Sequence, residues 1–182
     1  MLIDSSIFKA YDIRGIVDKT LTTDAAFAVG QALGELAQEK GVKALCVGRD
    51  GRLSGPKLSD ALIKGIASMG INVIDIGMVP TPVLYFATFV TGTGSGVAVT
   101  GSHNPPEYNG LKMMMAKDTL FGDGIQNLRE RILRGITPAA HEGTVTQQDV
   151  VTPYLEKVLA DVKLARPIKV AIDCGNGVTG PL

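Results

Sequence analysis

The chain has 182 residues, 45% hydrophobic and 20% charged, and its 18 Lys plus Arg balance 18 Asp plus Glu to a formal net charge of zero. That is the makeup of a globular protein with one domain of ordinary size and a remnant, and without a basic excess nucleic acid is not an expected partner. The opening Met-Leu-Ile-Asp-Ser-Ser lacks the basic-then-apolar order of a secretory leader, and the longest apolar run, near 82–90, falls far short of a membrane span. A cytoplasmic chain with no membrane partner is expected.

Glycines and prolines punctuate the sequence into short units. Residues 23–38 predict a helix, with Thr23 as cap, Ala26, Val29, Leu33 and Leu36 on one face, and Gly41 as its stop. The apolar run 43–47 predicts a strand, followed by the charged loop Gly48-Arg49-Asp50-Gly51-Arg52. Ser54 and Pro56 open a second helix, with Leu58, Leu62, Ile66 and Met69 as its stripe and Gly70 as its end. A strand at 72–76, a helix at 82–90 and strands at 96–100 and 111–115 follow. The small, polar stretch 137–149 reads as a linker or surface hairpin. A helix at 152–162 and a fresh strand at 168–173 come after it.

Alternating strands and helices imply an α/β fold, a mixed and mainly parallel sheet with helices on both faces. Ligands then belong at the carboxyl ends of the strands, where the loops 48–52 and 101–109 fall. Residues 1–149 are expected to form one domain. Residues 150–182, too few to bury a core, are expected to open a second, truncated one.

Cys46 and Cys174 read as structural thiols rather than a disulfide pair. Neither His103 nor His141 stands at helical spacing from another ligand type, so any metal would be a hard ion held by oxygens. In Thr100-Gly101-Ser102-His103-Asn104-Pro105-Pro106, two prolines stiffen the loop and Gly101 permits close approach of a bulky anion, so the Ser102 hydroxyl is presented outward. Adjacent side chains diverge, so Ser102 and His103 are not expected to form a nucleophile and base pair, and no Gly-x-Ser-x-Gly elbow surrounds Ser102. No Gly-Lys dipeptide marks a P-loop, and the glycines at 92–96 do not complete a dinucleotide fingerprint. A non-catalytic phosphate or sugar binding module remains an alternative to an enzyme.

The string from Thr100 to Pro105 resembles the phosphoserine loop of the α-D-phosphohexomutases, Thr-Ala/Gly-Ser-His-Asn-Pro. Phe8-Lys-Ala-Tyr-Asp-Ile-Arg-Gly15 resembles the opening signature of the bacterial phosphomannomutase/phosphoglucomutase branch, whereas the related phosphoglucosamine mutases usually read Phe-Gly-Thr-Asp-Gly-Ile-Arg-Gly there. The segments 48–54 and 173–177 are similar to family segments in the same order. The resemblance implies a four-domain isomerase that interconverts hexose 1-phosphate and 6-phosphate of mannose or glucose through a phosphoserine and a bisphosphorylated sugar. It implies Ser102 as phosphoryl carrier, Lys112 and His103 near the transferring group, and Tyr11 and Arg14 as sugar or phosphate contacts. Asn104 reads as architectural, and Arg49 and Arg52 as partners of Asp50 outside the site. Mg²⁺ would bind the serine phosphate and three aspartates of a loop absent here, so these 182 residues alone are expected to hold it weakly and not to turn over substrate.

Overall fold

The computed structural model describes residues 3–175 and 177–182. Seven strands, β1 (Ile13–Ile16), β2 (Ala44–Arg49), β3 (Asn72–Met78), β4 (Gly96–Val99), β5 (Tyr108–Met115), β6 (Asp118–Thr119) and β7 (Val145–Gln147), make one sheet. Its order is β1-β5-β4-β2-β3-β7, with β6 paired to β5. The half built from β4, β2, β3 and β7 is parallel, whereas β5 runs antiparallel to β1, β4 and β6. The sheet is therefore mixed, as expected, with its antiparallel part concentrated around β5.

Side-chain alternation along the strands sets the two faces. Leu45, Val47, Val97, Val99, Leu111 and Met113 join the larger core beneath α1 (Thr23–Glu39), α2 (Gly55–Ala67) and α4 (Asp123–Arg134). Cys46 and Ala98 point the other way, into the smaller core with Val83, Leu84 and Ala87 of α3 (Thr81–Val90). α5 (Val151–Asp161) adds Tyr154 to that face, edge-to-face with Phe86 at 5.4 Å between ring centroids.

Most helices start and stop where chain chemistry predicts, with local corrections. The α1 cap is Thr22, whose hydroxyl accepts from the Ala25 N–H, one residue before the expected Thr23. Ser54 precedes α2 without capping it, because its hydroxyl accepts instead from Asn109. Gly41 and Gly70 do end helices, both at positive φ. The stretch 137–149 is more than a linker: it carries β7, which pairs in parallel with β3 through Val145 and Thr146. No strand forms at 168–173, where the residues are exposed and find no neighbour to pair with. Cys46 is buried with its sulfur near the Thr91 and Thr93 hydroxyls, but Cys174 is only partly covered, in a loop. Among the described residues no helix is long and apolar enough to cross a membrane.

α1 and α2 approach closely enough to need glycine at the crossing. A Cβ on Gly65 would stand 2.1 Å from the Phe27 carbonyl oxygen, and one on Gly30 would stand 2.4 Å from that of Leu62. Gly65→Ala is therefore expected to force the helices apart and lower stability by about 1–3 kcal/mol, read from urea unfolding. An unchanged midpoint would mean that the crossing yields without strain.

α4 is tied to α1 by charge. Arg131, buried, donates to Glu35, Glu39 and Asn127, and Arg134 donates to Glu35. Hydrogen bonds from Arg131 hold the Glu39 carboxyl below its ordinary range. A carboxyl lowered only in the folded state adds stability that is present above the unfolded pKa of about 4.3 and is lost as pH falls through the lower, folded value. Arg131→Ala should lower stability at neutral pH by about 1–3 kcal/mol and flatten the acid decline of the urea midpoint. Parallel pH profiles for the two proteins would show that the pair contributes nothing.

Candidate active site

Two loops meet at the carboxyl edge of the sheet. The Asp50 N–H donates to the Val99 carbonyl, 2.9 Å, so the end of β2 is stitched to the end of β4. The second loop, 100–107, joins β4 to its antiparallel neighbour β5. Both lie at the edge the sequence assigned them but are shorter than expected, because Gly48 and Arg49 belong to β2, and Tyr108 and Asn109 to β5.

Asp50 and Arg52 hold the second loop from beneath. The Asp50 carboxylate accepts from the Thr100 hydroxyl at 2.8 Å, the Gly101 N–H at 3.1 Å and the Arg52 N–H at 3.0 Å. The Thr100 hydroxyl in turn accepts from the Ser102 N–H. Arg52 sends its guanidinium under the loop, donating to the carbonyls of Ser102, Asn104, Pro105 and Tyr108. Gly101 does allow a close approach, but by Arg52: a Cβ there would stand 2.0 Å from Arg52 Nε. Asn104 is architectural as expected, its side-chain amide and backbone N–H both donating to the Gly101 carbonyl.

Ser102 is exposed and holds a left-handed backbone, φ 51°, an uncommon state for a residue with a Cβ. The expected divergence of Ser102 and His103 does not occur. His103 Nδ1 lies 3.4 Å from Ser102 Oγ, a long contact that the left-handed turn at Ser102 permits. Ser102 borders an open cleft of about 960 Å³ together with Asp50, Arg52, Ser54, Lys57 and Pro106. Lys57 is paired with Asp18 there, 2.6 Å.

Two of the other candidates, Arg14 and Lys112, gather around one carboxylate. Asp12, 8% exposed, accepts from the Arg14 guanidinium and lies 3.6 Å from Lys112 Nζ. Arg14 in β1 pairs with Gly110 in β5, two residues before Lys112, so the strand register delivers both cations to Asp12. Lys112 is a mid-strand residue opposite Ala98, one-third exposed and ion-paired, rather than a desolvated lysine. It shares a cavity of about 350 Å³ with Tyr11, Tyr85 and Phe121. Thus Ser102 and His103 form one group in the loop between β4 and β5, and Tyr11, Arg14 and Lys112 another at β1 and β5, and among the described residues no hydrogen bond joins the two groups. Sequence reasoning passed over Asp12 and Asp50 and set Arg52 aside. The signal was present in Asp12-Ile-Arg14 and Asp50-Gly-Arg52, opposite charges two residues apart, a spacing that puts side chains on one side of an extended chain.

Among the described residues, no three His, Cys, Asp or Glu side chains are grouped to hold a metal. Asp50 is occupied by three donors.

Residues 5–138 match the family model described as phosphoglucomutase/phosphomannomutase, alpha/beta/alpha domain I. The chain belongs to this family. It is 52% identical over 179 residues to a phosphoglucomutase of Neisseria gonorrhoeae, covering 98% of this chain and 39% of the relative. It is 50% identical over 176 residues to a phosphomannomutase/phosphoglucomutase of Pseudomonas aeruginosa, covering 97% and 38%. A solved phosphoglucomutase/phosphomannomutase family protein of Burkholderia thailandensis superposes with a TM-score of 0.93 at 46% identity, over 99% of this chain and 41% of that one. The chain therefore spans about two-fifths of the length of these relatives.

Because Asp12 is the shared partner of Arg14 and Lys112, Asp12→Asn is expected to lower stability by about 1–3 kcal/mol. Lys112→Met in the Asp12→Asn background should then cost less than in the wild type. Additive losses in urea unfolding would show that Lys112 does not depend on Asp12.

Proposed function

We propose that this chain supplies the phosphoryl-carrying part of a mutase that interconverts the 1-phosphate and 6-phosphate of mannose or glucose, with Ser102 as the carrier. The observation that carries the reading is the Ser102 hydroxyl itself, exposed at the tip of a loop that is fixed from below and bordered by an open cleft. In the forward transfer the Ser102 Oγ–P bond breaks and a bond from phosphorus to a hydroxyl oxygen of the hexose monophosphate forms. The hydroxyl gives up its proton, and the serine oxygen takes one. Return of the other phosphate of the bisphosphorylated sugar to Ser102 regenerates the carrier and releases the isomer.

Phosphoryl transfer needs in-line positioning and neutralisation of spread negative charge more than covalent help. His103, 3.4 Å from Ser102 Oγ, is suited to hand a proton to the departing serine oxygen. Lys112 and Arg14 offer positive charge, held in place by Asp12. Tyr11, 75% exposed beside Lys112, offers a face and a hydroxyl to a sugar. Phe8-Lys-Ala-Tyr at the start of the chain favours mannose and glucose phosphates over glucosamine phosphate. Toward Mg²⁺ this chain would contribute oxygens of a phosphate on Ser102, the remaining ligands lying outside the residues described here.

In the full-length protein, Ser102 should carry a phosphate, seen as a mass shift on the peptide containing it, and Ser102→Ala should reduce mutase activity on glucose 1-phosphate to background. An unmodified Ser102, with activity intact in the variant, would remove the carrier role.

A further inference from the structure

The loop from Thr100 to Tyr108 has an internal imbalance. Pro105 and Pro106 have no N–H, so the segment has more carbonyl oxygens than its own main chain can satisfy. Among its main-chain contacts, Asn104 donates to the Gly101 carbonyl and Tyr108 to that of Pro105, but no backbone N–H reaches the carbonyls of Ser102 or Asn104. Arg52 fills this deficit. A guanidinium carries five N–H groups and accepts nothing. Its Nη1 donates to Pro105 at 2.7 Å and to Tyr108 at 2.8 Å, and its Nη2 to Ser102 at 3.1 Å and to Asn104. The remaining N–H, on Nε, faces Asp50 at 3.7 Å. All four terminal N–H groups are engaged, and the side chain is 16% exposed. No terminal donor is left over for a phosphate.

The loop's own donors go to the other member of the pair. Asp50 takes the Gly101 N–H and the Thr100 hydroxyl, and that hydroxyl takes the Ser102 N–H. Two side chains of opposite charge, two residues apart at the end of one strand, therefore divide the loop between them: Asp50 binds its donors and Arg52 its acceptors. Ser102 lies between the two sets with a backbone, φ 51°, that would relax without them.

We propose that Arg52 is a positioning residue, whose planar fork of donors keeps the loop closed and Ser102 Oγ aimed into the cleft. The proposal rests on the reading of Ser102 as phosphoryl carrier for its effect on turnover. Its effect on the loop stands independently of that reading. The role requires the fork: a lysine keeps the charge but offers three donors from one atom, which cannot span four carbonyls spread over seven residues.

The test uses Arg52→Lys and Arg52→Gln in the full-length protein, with two readouts. In hydrogen exchange, the amides of Ser102, Asn104 and Tyr108 should exchange at least about tenfold faster in both variants, while amides of α1 and β2 keep their wild-type rates. In steady-state kinetics on glucose 1-phosphate, kcat should fall by about 10- to 100-fold in both variants, with KM changed by less than about threefold. Added guanidinium ion should recover part of the loss in Arg52→Gln. Wild-type turnover in Arg52→Lys would overturn the proposal by showing that charge alone suffices. Unchanged loop exchange would overturn it too, as would loss of fold in both variants, which would make Arg52 a residue of overall stability. If the wild type neither carries phosphate on Ser102 nor turns over, the carrier reading fails, and the exchange measurement alone decides whether Arg52 holds the loop.

Discussion

The site depends on how a loop short of N–H groups is kept in one conformation. Pro105 and Pro106 stiffen the chain but remove two donors, and an unsatisfied carbonyl next to a buried strand end is costly. The answer comes from the end of β2, where Asp50 and Arg52 reach across to the loop that follows β4. Parallel pairing of β2 with β4, Arg49 opposite Val99, sets the distance over which they act. The sheet register thus determines the placement of a solvent-facing serine that is not itself in a strand.

A second carboxylate organises the neighbouring group. Asp12 draws Arg14 from β1 and Lys112 from β5 to one point, and the antiparallel pairing of those strands supplies the alignment. Lys112 faces the α3 side of the sheet because it alternates with Leu111 and Met113, which belong to the core beneath α1 and α2. The same two-residue period that builds the core therefore chooses which cavity receives the lysine.

Much of this was legible in the chain. The helices capped near Thr22 and opened by Pro56, the strands around Cys46 and Ala98, and the existence of loops after β2 and β4 all follow from periodicity and breakers, although β2 runs on to Arg49 and β5 starts already at Tyr108. What escaped was pairing across distance. The strand at Val145–Gln147 is too short and exposed to declare itself, and exists because β3 offers an edge. The residues 168–173 look like a strand by composition yet remain single, because no neighbour is present to complete the ladder. Arg52 could pass for a surface partner of Asp50, since nothing local reveals that four carbonyls some fifty residues later need donors.

The Ser102 loop is also the connection of a hairpin, closing β4 onto β5 with Val99 opposite Leu111. A hairpin anchored on both arms, and clipped to a third strand beneath, gives its tip little freedom to swing. If phosphate leaves Ser102 for one end of a sugar and comes back from the other, the serine is the fixed point of the cycle. The half-turn then falls to the intermediate, which must be loosely enough held to pivot and closely enough fenced to stay.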